Sequence, residues 1–358
     1  MNRLILLFLL TVISFTAYAI DEKPLIIRLG YGLNEQSHQG HAVRFFADEV
    51  ARRSNGKMLV RTIGDAALGP DIQMQQALIR GTQEMMVGST ATLVDTSDQM
   101  ALWDAPFLFA NSAEADEILD GPIGQQVLDS LQNGGLVGLV YWENGFRNLT
   151  NAKRPIRTLE DFDGLKLRVM QNDIYLESFS LLGVDAVPLP FSELFFALES
   201  HTVDGQENPF STILSSKFFE LQRYLSVTNH VYSPWVMLAS KQWWDDLSDE
   251  QKSILMEAAK ASRGFQRNHA RDESQKAMAA LRNKGMQVNE FPAAEHLRMQ
   301  ERLCEVHATI ASRVGEGLWL ETQAKLAEMR QPKAVFRIFR SATNNVSHDA
   351  SAGVSPCP

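Results

Sequence analysis

The chain has 358 residues, 45% of them hydrophobic and 22% charged, so its length suggests about two domains with enough apolar material for packed cores. That composition excludes a disordered, collagen-like or disulfide-scaffold protein. A net charge of -9, from 43 acids against 34 bases with no like-charged block, argues against a general nucleic-acid binder.

Arg3 precedes an almost uncharged apolar run from Leu4 to Phe15, and Ala17-Tyr18-Ala19 is an A-x-A cleavage site. Together they predict a secretory signal peptide over residues 1–19. The run is shorter than the roughly 18 to 20 residues of a membrane span, and no later uncharged stretch reaches that length. A soluble mature chain, without direct membrane insertion, is therefore expected from near Ile20. Losing Arg3 takes its net charge from -9 to -10. Only Cys304 and Cys357 are present. They are either two incidental thiols or one disulfide tying down the C-terminal tail, which an oxidising compartment permits. With no cysteine cluster at metal spacing, a zinc ribbon or cluster protein is excluded.

Leu25 to Tyr31 reads as a buried strand, and His41 to Arg53 as a helix with Val43, Phe46, Ala47 and Val50 on its apolar face, closed by Asn55-Gly56. Lys57 to Ile63 alternates as a strand, Pro70 to Ile79 reads as a helix and Glu84 to Val87 as a strand, the opening of an α/β domain. A second series follows Gly134: strands at Leu136 to Trp142, Leu165 to Val169 and Ala186 to Leu189, with helices at Ile174 to Leu182 and Ser192 to Glu199. The β-rich stretch Leu221 to Ser240 is long enough to cross back between two lobes as a hinge. Ser248 and Gln251 form a capping box opening a long helix to about Lys284. A strand at Met286 to Phe291 and one long helix over roughly Ala293 to Met329 complete the folded part. Ser341 to Pro358, rich in Ser, Ala and Asn, reads as a flexible tail. The expected organisation is 20–143 mainly first lobe, 144–240 mainly second lobe and hinge strands, 241–330 long helices completing both lobes, and 331–358 a tail.

In LKLRV, strand alternation sets Leu165, Leu167 and Val169 on one face and Lys166 and Arg168 on the other, within an interior segment. A guanidinium near a core must meet an anion, and its planar fork matches a carboxylate bidentately. A ligand carboxylate and an internal salt bridge, to Glu207 or another acid, are equally good partners on spacing alone. Asp204 to Pro209 (DGQENP) reads as a compact polar turn, with Gly205 allowing the bend and Pro209 presenting Asn208 toward a cleft or simply starting a helix. Arg147, after an Asn144-Gly145 turn, is either a second anion contact or a surface residue. Phe191, Tyr232 and Trp235 suit a cleft wall or core packing. His38 and His41 share a helical face, a partial metal site without a third ligand or a pair with capping and surface roles. No G-x-S-x-G, H-E-x-x-H, P-loop or dinucleotide fingerprint is present.

The runs GLKLRV, PLPFSELFFALESHTVDGQENP and SSKFFELQRYLSVTNH strongly resemble the DctP-type periplasmic solute-binding receptors of TRAP transporters. ALGPDIQMQQALIRGT, DAPFLF and YWENGFRNLTNAKRPI add to the likeness, which covers roughly Leu25 to Met329. The resemblance implies a two-lobed α/β periplasmic binding protein fold with crossing hinge strands and a long lobe-spanning helix. It implies a receptor rather than an enzyme, with no cofactor, no metal and membrane transporter subunits as partners. The ligand-carboxylate clamp of that family falls on Arg168, its supporting asparagine on Asn208, a further arginine on Arg147 and an aromatic on Phe191. Met170, Gln171, Asp173 and the hinge-strand Trp235 map to further contacts. In the first lobe, the loop with Gln36 and His38, then Asp71, Ser89 and Thr90, take the corresponding places. Sialic-acid receptors have a glutamate where Ser89 stands, and the second lobe is most similar to members taking sugar acids such as uronates, aldonates or ketogulonates. The implied alternatives are a C4-dicarboxylate ligand, a secreted enzyme of sugar-acid metabolism and a metal receptor using His38 and His41.

Overall fold

The computed structural model describes residues 23–331. The signal peptide and its cleavage site, Cys357, and all but the first residue of the expected tail lie outside the described residues; Cys304 is disulfide-bonded.

The elements run β1 (Leu25–Tyr31), α1 (His38–Arg53), β2 (Met58–Ile63), α2 (Asp71–Ile79), β3 (Met85–Ser89), α3 (Ser112–Asp120), α4 (Pro122–Ser130), β4 (Leu136–Phe146) and β5 (Asn148–Asn151). Then come β6 (Lys166–Val169), α5 (Asp173–Leu181), β7 (Asp185–Pro188), α6 (Phe191–Glu199), β8 (Gly205–Asn208), α7 (Phe210–Ser215), β9 (Tyr224–Val227) and β10 (Tyr232–Ser240). The chain continues with α8 (Lys241–Asp245), α9 (Asp249–Asn283), β11 (Gln287–Glu290), α10 (Ala293–Val314) and α11 (Glu316–Arg330).

Two sheets divide these strands: a five-stranded sheet in the order β2-β1-β3-β10-β4 and a six-stranded sheet in the order β11-β9-β5-β8-β6-β7. The chain passes between them at two places. Arg147 alone separates β4 of the first sheet from β5 of the second, and Thr228 to Val231 lead from β9 of the second sheet back to β10 of the first. The crossings touch, since the Arg147 backbone N–H donates to the Val231 carbonyl at 2.9 Å.

The capping box at Ser248 and Gln251 opens α9, which spans 35 residues, about 52 Å at helical rise. Leu255, Ala258 and Ala259 near its start pack into the core of the first sheet. Leu281 near its end packs with Leu194, Val203 and Phe218 of the second. Midway, the Gln266 amide takes up both peptide groups of Glu143 on the outer side of the edge strand β4, each bond 2.7 Å. An edge strand leaves such groups unpaired, and here a helix side chain completes them.

Three sequence expectations change. Asn144-Gly145 is not a turn: β4 runs through it to Phe146, with a register shift opposite Ser233 and Pro234 and φ +122° at Gly145. Asp204 to Pro209 is not a turn either, because Gly205 to Asn208 form the buried strand β8 between β5 and β6. Gly205 is needed there for close approach, a Cβ at that position lying 2.2 Å from the Thr150 carbonyl. The single helix expected after Ala293 is two, broken at Gly315 with φ 91° and ψ 132°, a conformation open to glycine. No helix among the described residues is long and apolar enough to cross a membrane.

Candidate ligand-binding site between the sheets

Arg168 lies in the middle of the second sheet's parallel part, flanked by β8 and β7. Its side chain is 1% exposed. Nε donates to the Leu189 carbonyl at 2.8 Å and Nη1 contacts Met170 Sδ at 3.6 Å, but no carboxylate among the described residues pairs with it. Burial, then the like charge of Arg147, draws its pKa down to about 10 against the opposite pull of Glu207 and Asp71. A buried guanidinium without an anion is a costly arrangement unless the anion arrives from outside.

The internal salt bridge that was the other reading of Arg168 belongs to Arg147. That guanidinium, also 1% exposed, holds the Glu207 carboxylate through Nε and through Nη2, the latter at 2.7 Å, and Nη2 also donates to the Glu207 carbonyl at 2.5 Å. It is not a surface residue. His230 Nε2 meets the same carboxylate at 3.1 Å. Burial alone would push the Glu207 carboxyl up, yet Arg147 and His230 hold it down at about 2. The charge of Arg147 is thus already balanced within the protein.

Asn208, at the end of β8, donates from Nδ2 to Gln206 Oε1 at 2.5 Å, and Gln206 Nε2 donates to Thr150 Oγ1 at 2.8 Å. Polar side chains of neighbouring strands therefore fix one another under the cleft floor, which keeps a buried network satisfied.

Two adjoining cavities lie between the sheets. One is lined by Arg147, Asn208, Met170 and Phe191 from the crossover and the second sheet's side, and by Asp71, Ser89 and Trp235 from the first sheet's side. The other is lined by Arg168, Met170, Gln171, Phe191 and Asp71. Their shared wall residues, Asp71, Met170 and Phe191, make them one cleft. Asp71, first residue of α2, is half-buried and accepts the Ser89 backbone N–H at 2.9 Å. Burial pushes its carboxyl up, against the pull of the Ser89 N–H and of Arg168.

The remaining expected residues lie elsewhere. Asp173 is at the exposed start of α5, paired with Arg313 at 2.6 Å, and lines neither cavity. Gln36 is exposed on the turn before α1. Thr90 is buried behind the wall, its hydroxyl donating to the Pro234 carbonyl at 3.2 Å. His38 stacks on Trp235 with ring centroids 5.0 Å apart, supporting a wall residue from behind, and burial drives its pKa down to about 3. His41 does not join it: its Nδ1 faces His269 Nε2 of α9 at 2.8 Å. No group of three or more possible metal ligands occurs among the described residues. Tyr232 is a core residue, bonded to Glu143. The cleft also uses Gln39, Asn144, Thr92 and Thr212, which sequence reasoning passed over. Asn144 and Thr212 had one available signal, their places three positions before Arg147 and four after Asn208, and they bond to each other at 2.9 Å.

The family model described as DctP, bacterial extracellular solute-binding protein, family 7, matches residues 29–313. A crystal structure of the sugar acid binding protein DctPAm from Advenella mimigardefordensis in complex with galactonate is 45% identical, with a TM-score of 0.84, covering 86% of this chain and 99% of that one. A TRAP periplasmic solute binding protein from Polaromonas bound to D-erythronate is 37% identical, with a TM-score of 0.81, covering 84% and 98%. The 2,3-diketo-L-gulonate-binding periplasmic protein YiaO of Escherichia coli is 33% identical over 79% of this chain and 85% of its own. The fold, the two crossing strands and the extent of the match agree: the chain belongs to the DctP family of extracellular solute-binding proteins, the periplasmic receptors of TRAP transporters, and is not an enzyme.

Proposed function

We propose that the protein captures a sugar acid, an aldonate or uronate, and delivers it to the membrane subunits of a TRAP transporter. The observation that carries this reading is Arg168, a cleft guanidinium whose only hydrogen-bond partners among the described residues are a carbonyl and a thioether. The ligand carboxylate supplies the missing anion, in charge-assisted bonds that strengthen as the cleft dries. Asn208 and Arg147 add hydrogen bonds, while Met170, Gln171, Phe191 and Trp235 shape the wall. Across the cleft, Asp71 and Ser89 read hydroxyl groups.

A sugar acid fits better than a C4-dicarboxylate because of the charge balance. Arg147 is already neutralised by Glu207, and Asp71 lines the opposite wall. Among the described residues lining the two cavities, one cation is thus left for one carboxylate, and a second carboxylate would meet Asp71. The galactonate and D-erythronate complexes of the 45% and 37% identical relatives support this choice, although more distant relatives, such as a 27% identical one, hold succinate. The protein works in the periplasm after loss of residues 1–19, with ligand favouring the closed arrangement of its lobes.

Thermal unfolding against galactonate, erythronate, glucuronate and succinate tests the reading. A ligand at 100 times its dissociation constant adds about 2.7 kcal/mol. A shift with the sugar acids that is lost in Arg168→Ala supports the assignment; a shift with succinate alone overturns the ligand class.

A further inference from the structure

Asn172 lies in the loop between β6 and α5, just after Met170 and Gln171 of the cleft wall, but lines neither cavity. It is 4% exposed. Its Oδ1 accepts the Ile174 backbone N–H at 2.7 Å, capping α5. Its Nδ2 donates to the Ala91 carbonyl at 2.9 Å and to Asp104 Oδ2 at 2.6 Å, both on the segment that follows β3 of the first sheet, where the Ala91 side chain packs against the second sheet's core. Beside this contact, Ala91 N–H donates to Ser89 Oγ at 3.3 Å, and Ser89 N–H bonds Asp71 of the opposite cleft wall. The chain of bonds thus runs from the wall that holds Arg168 to the wall that holds Asp71 without passing through the cleft. At the mouth, Asn34 Nδ2 reaches the Ser215 carbonyl of the second sheet's side at 3.0 Å, a second and more exposed crossing.

We infer that Asn172 is a closure latch: a positioning residue that sets ligand affinity by joining the two sides of the cleft, without touching the ligand. An amide suits the task because its two N–H groups reach two acceptors on one side while its carbonyl stays fixed to its own helix. Parting the walls exposes Asp104 and Ala91 to water, which replaces the lost bonds. With the walls together no water does so, and a missing Asn172 leaves a buried carboxyl without its donor. Loss of the latch therefore falls on the closed form and shows as faster ligand release.

Substitution by aspartate adds a sharper signature. A carboxyl at position 172 would stand against Asp104, itself faced by Arg147 from the crossover, Arg313 from α10, and Asp173 and Tyr175 from α5, with His230 on the same small cavity. Two ionised carboxylates at hydrogen-bond distance repel, whereas a shared proton restores a bond.

The test measures affinity and release rate for galactonate, glucuronate and succinate with wild type, Asn172→Ala and Asn172→Asp, alongside the melting temperature of each ligand-free protein. The latch predicts for Asn172→Ala a 10- to 100-fold loss of affinity carried by the release rate, with ligand-free melting within a few degrees of wild type. It predicts for Asn172→Asp an affinity that recovers toward wild type at pH 5 and is weakest at pH 8. Affinity within twofold of wild type in Asn172→Ala overturns the latch, as does a ligand-free melting temperature that falls as far as that of the complex. The inference rests on closure over an organic acid and not on which acid, so wild type that answers only succinate sinks the sugar-acid reading and leaves this test intact. Wild type that binds none of the three overturns both.

Discussion

Arg147, the single residue between the two sheets at one crossing, is held by both the carboxylate and the backbone carbonyl of Glu207 in β8. The pair fixes the crossover to the second sheet. It also neutralises one of the two arginines that line the cleft, leaving Arg168 as the unpaired one among the described residues.

Breaking that pair leaves a buried cation. Glu207→Gln is expected to cost about 3–5 kcal/mol, read from chemical denaturation of the ligand-free protein. A double variant, Arg147→Met with Glu207→Leu, should cost clearly less than the sum of the two single changes, because neither charge is then stranded.

Arg168 predicts the opposite pattern. Its charge is buried without a carboxylate, so Arg168→Met should leave the ligand-free protein as stable as wild type or more so, while removing the ligand-induced shift in melting temperature. Loss of stability in the ligand-free variant would show that the guanidinium is a structural strut instead.

Asp71 is expected to set the charge of the accepted acid. In Asp71→Asn the ratio of succinate to galactonate affinity should move by roughly tenfold or more toward succinate, since the repelling carboxylate is gone. Isothermal titration with both ligands reads the ratio directly, and an unchanged ratio would remove Asp71 from the specificity argument.

Asp104 gives a pH dependence with a definite sign. Burial, partly opposed by the Asn172 amide, raises its carboxyl from 3.8 to about 8. The folded state then binds a proton that the unfolded chain has released. This stabilisation is full below pH 3.8 and is lost as pH rises through about 8, with a slope of at most about 1.4 kcal/mol per pH unit. Glu207, lowered from 4.5 to about 2, acts the other way, contributing above pH 4.5 and failing as pH falls through 2. Asp104→Asn, which keeps a carbonyl acceptor for Asn172, should flatten the alkaline limb between pH 4 and 8 in urea unfolding and leave the acid limb in place.

An apolar run made β1 legible and hydropathy alternation β2 and β6, and with β6 the inward-facing Arg168. It failed at β5 and β8, whose sequences NLTN and GQEN carry mostly polar residues yet are buried throughout. Their partners lie across the sheet rather than along the chain: Gln206 on Thr150 and Glu207 on Arg147. A pattern of hydropathy records what a residue avoids, and only the folded chain shows what it finds. Asn172 escaped for a similar reason, since its acceptors are 68 and 81 positions away. Gly205→Ala tests how tightly β8 is seated, and should cost about 2–3 kcal/mol through forced separation from β5.

The clasp of Gln266 on Glu143 has a mechanical result. It pins the middle of α9 to β4 only four positions before the Arg147 crossover, while the far end of the helix is embedded under the second sheet. Rotation about the crossover must then flex the stretch between Gln266 and Leu281, about 22 Å of continuous helix. Bending a continuous helix costs energy in either direction, so α9 acts as a stiffener between the two sheets.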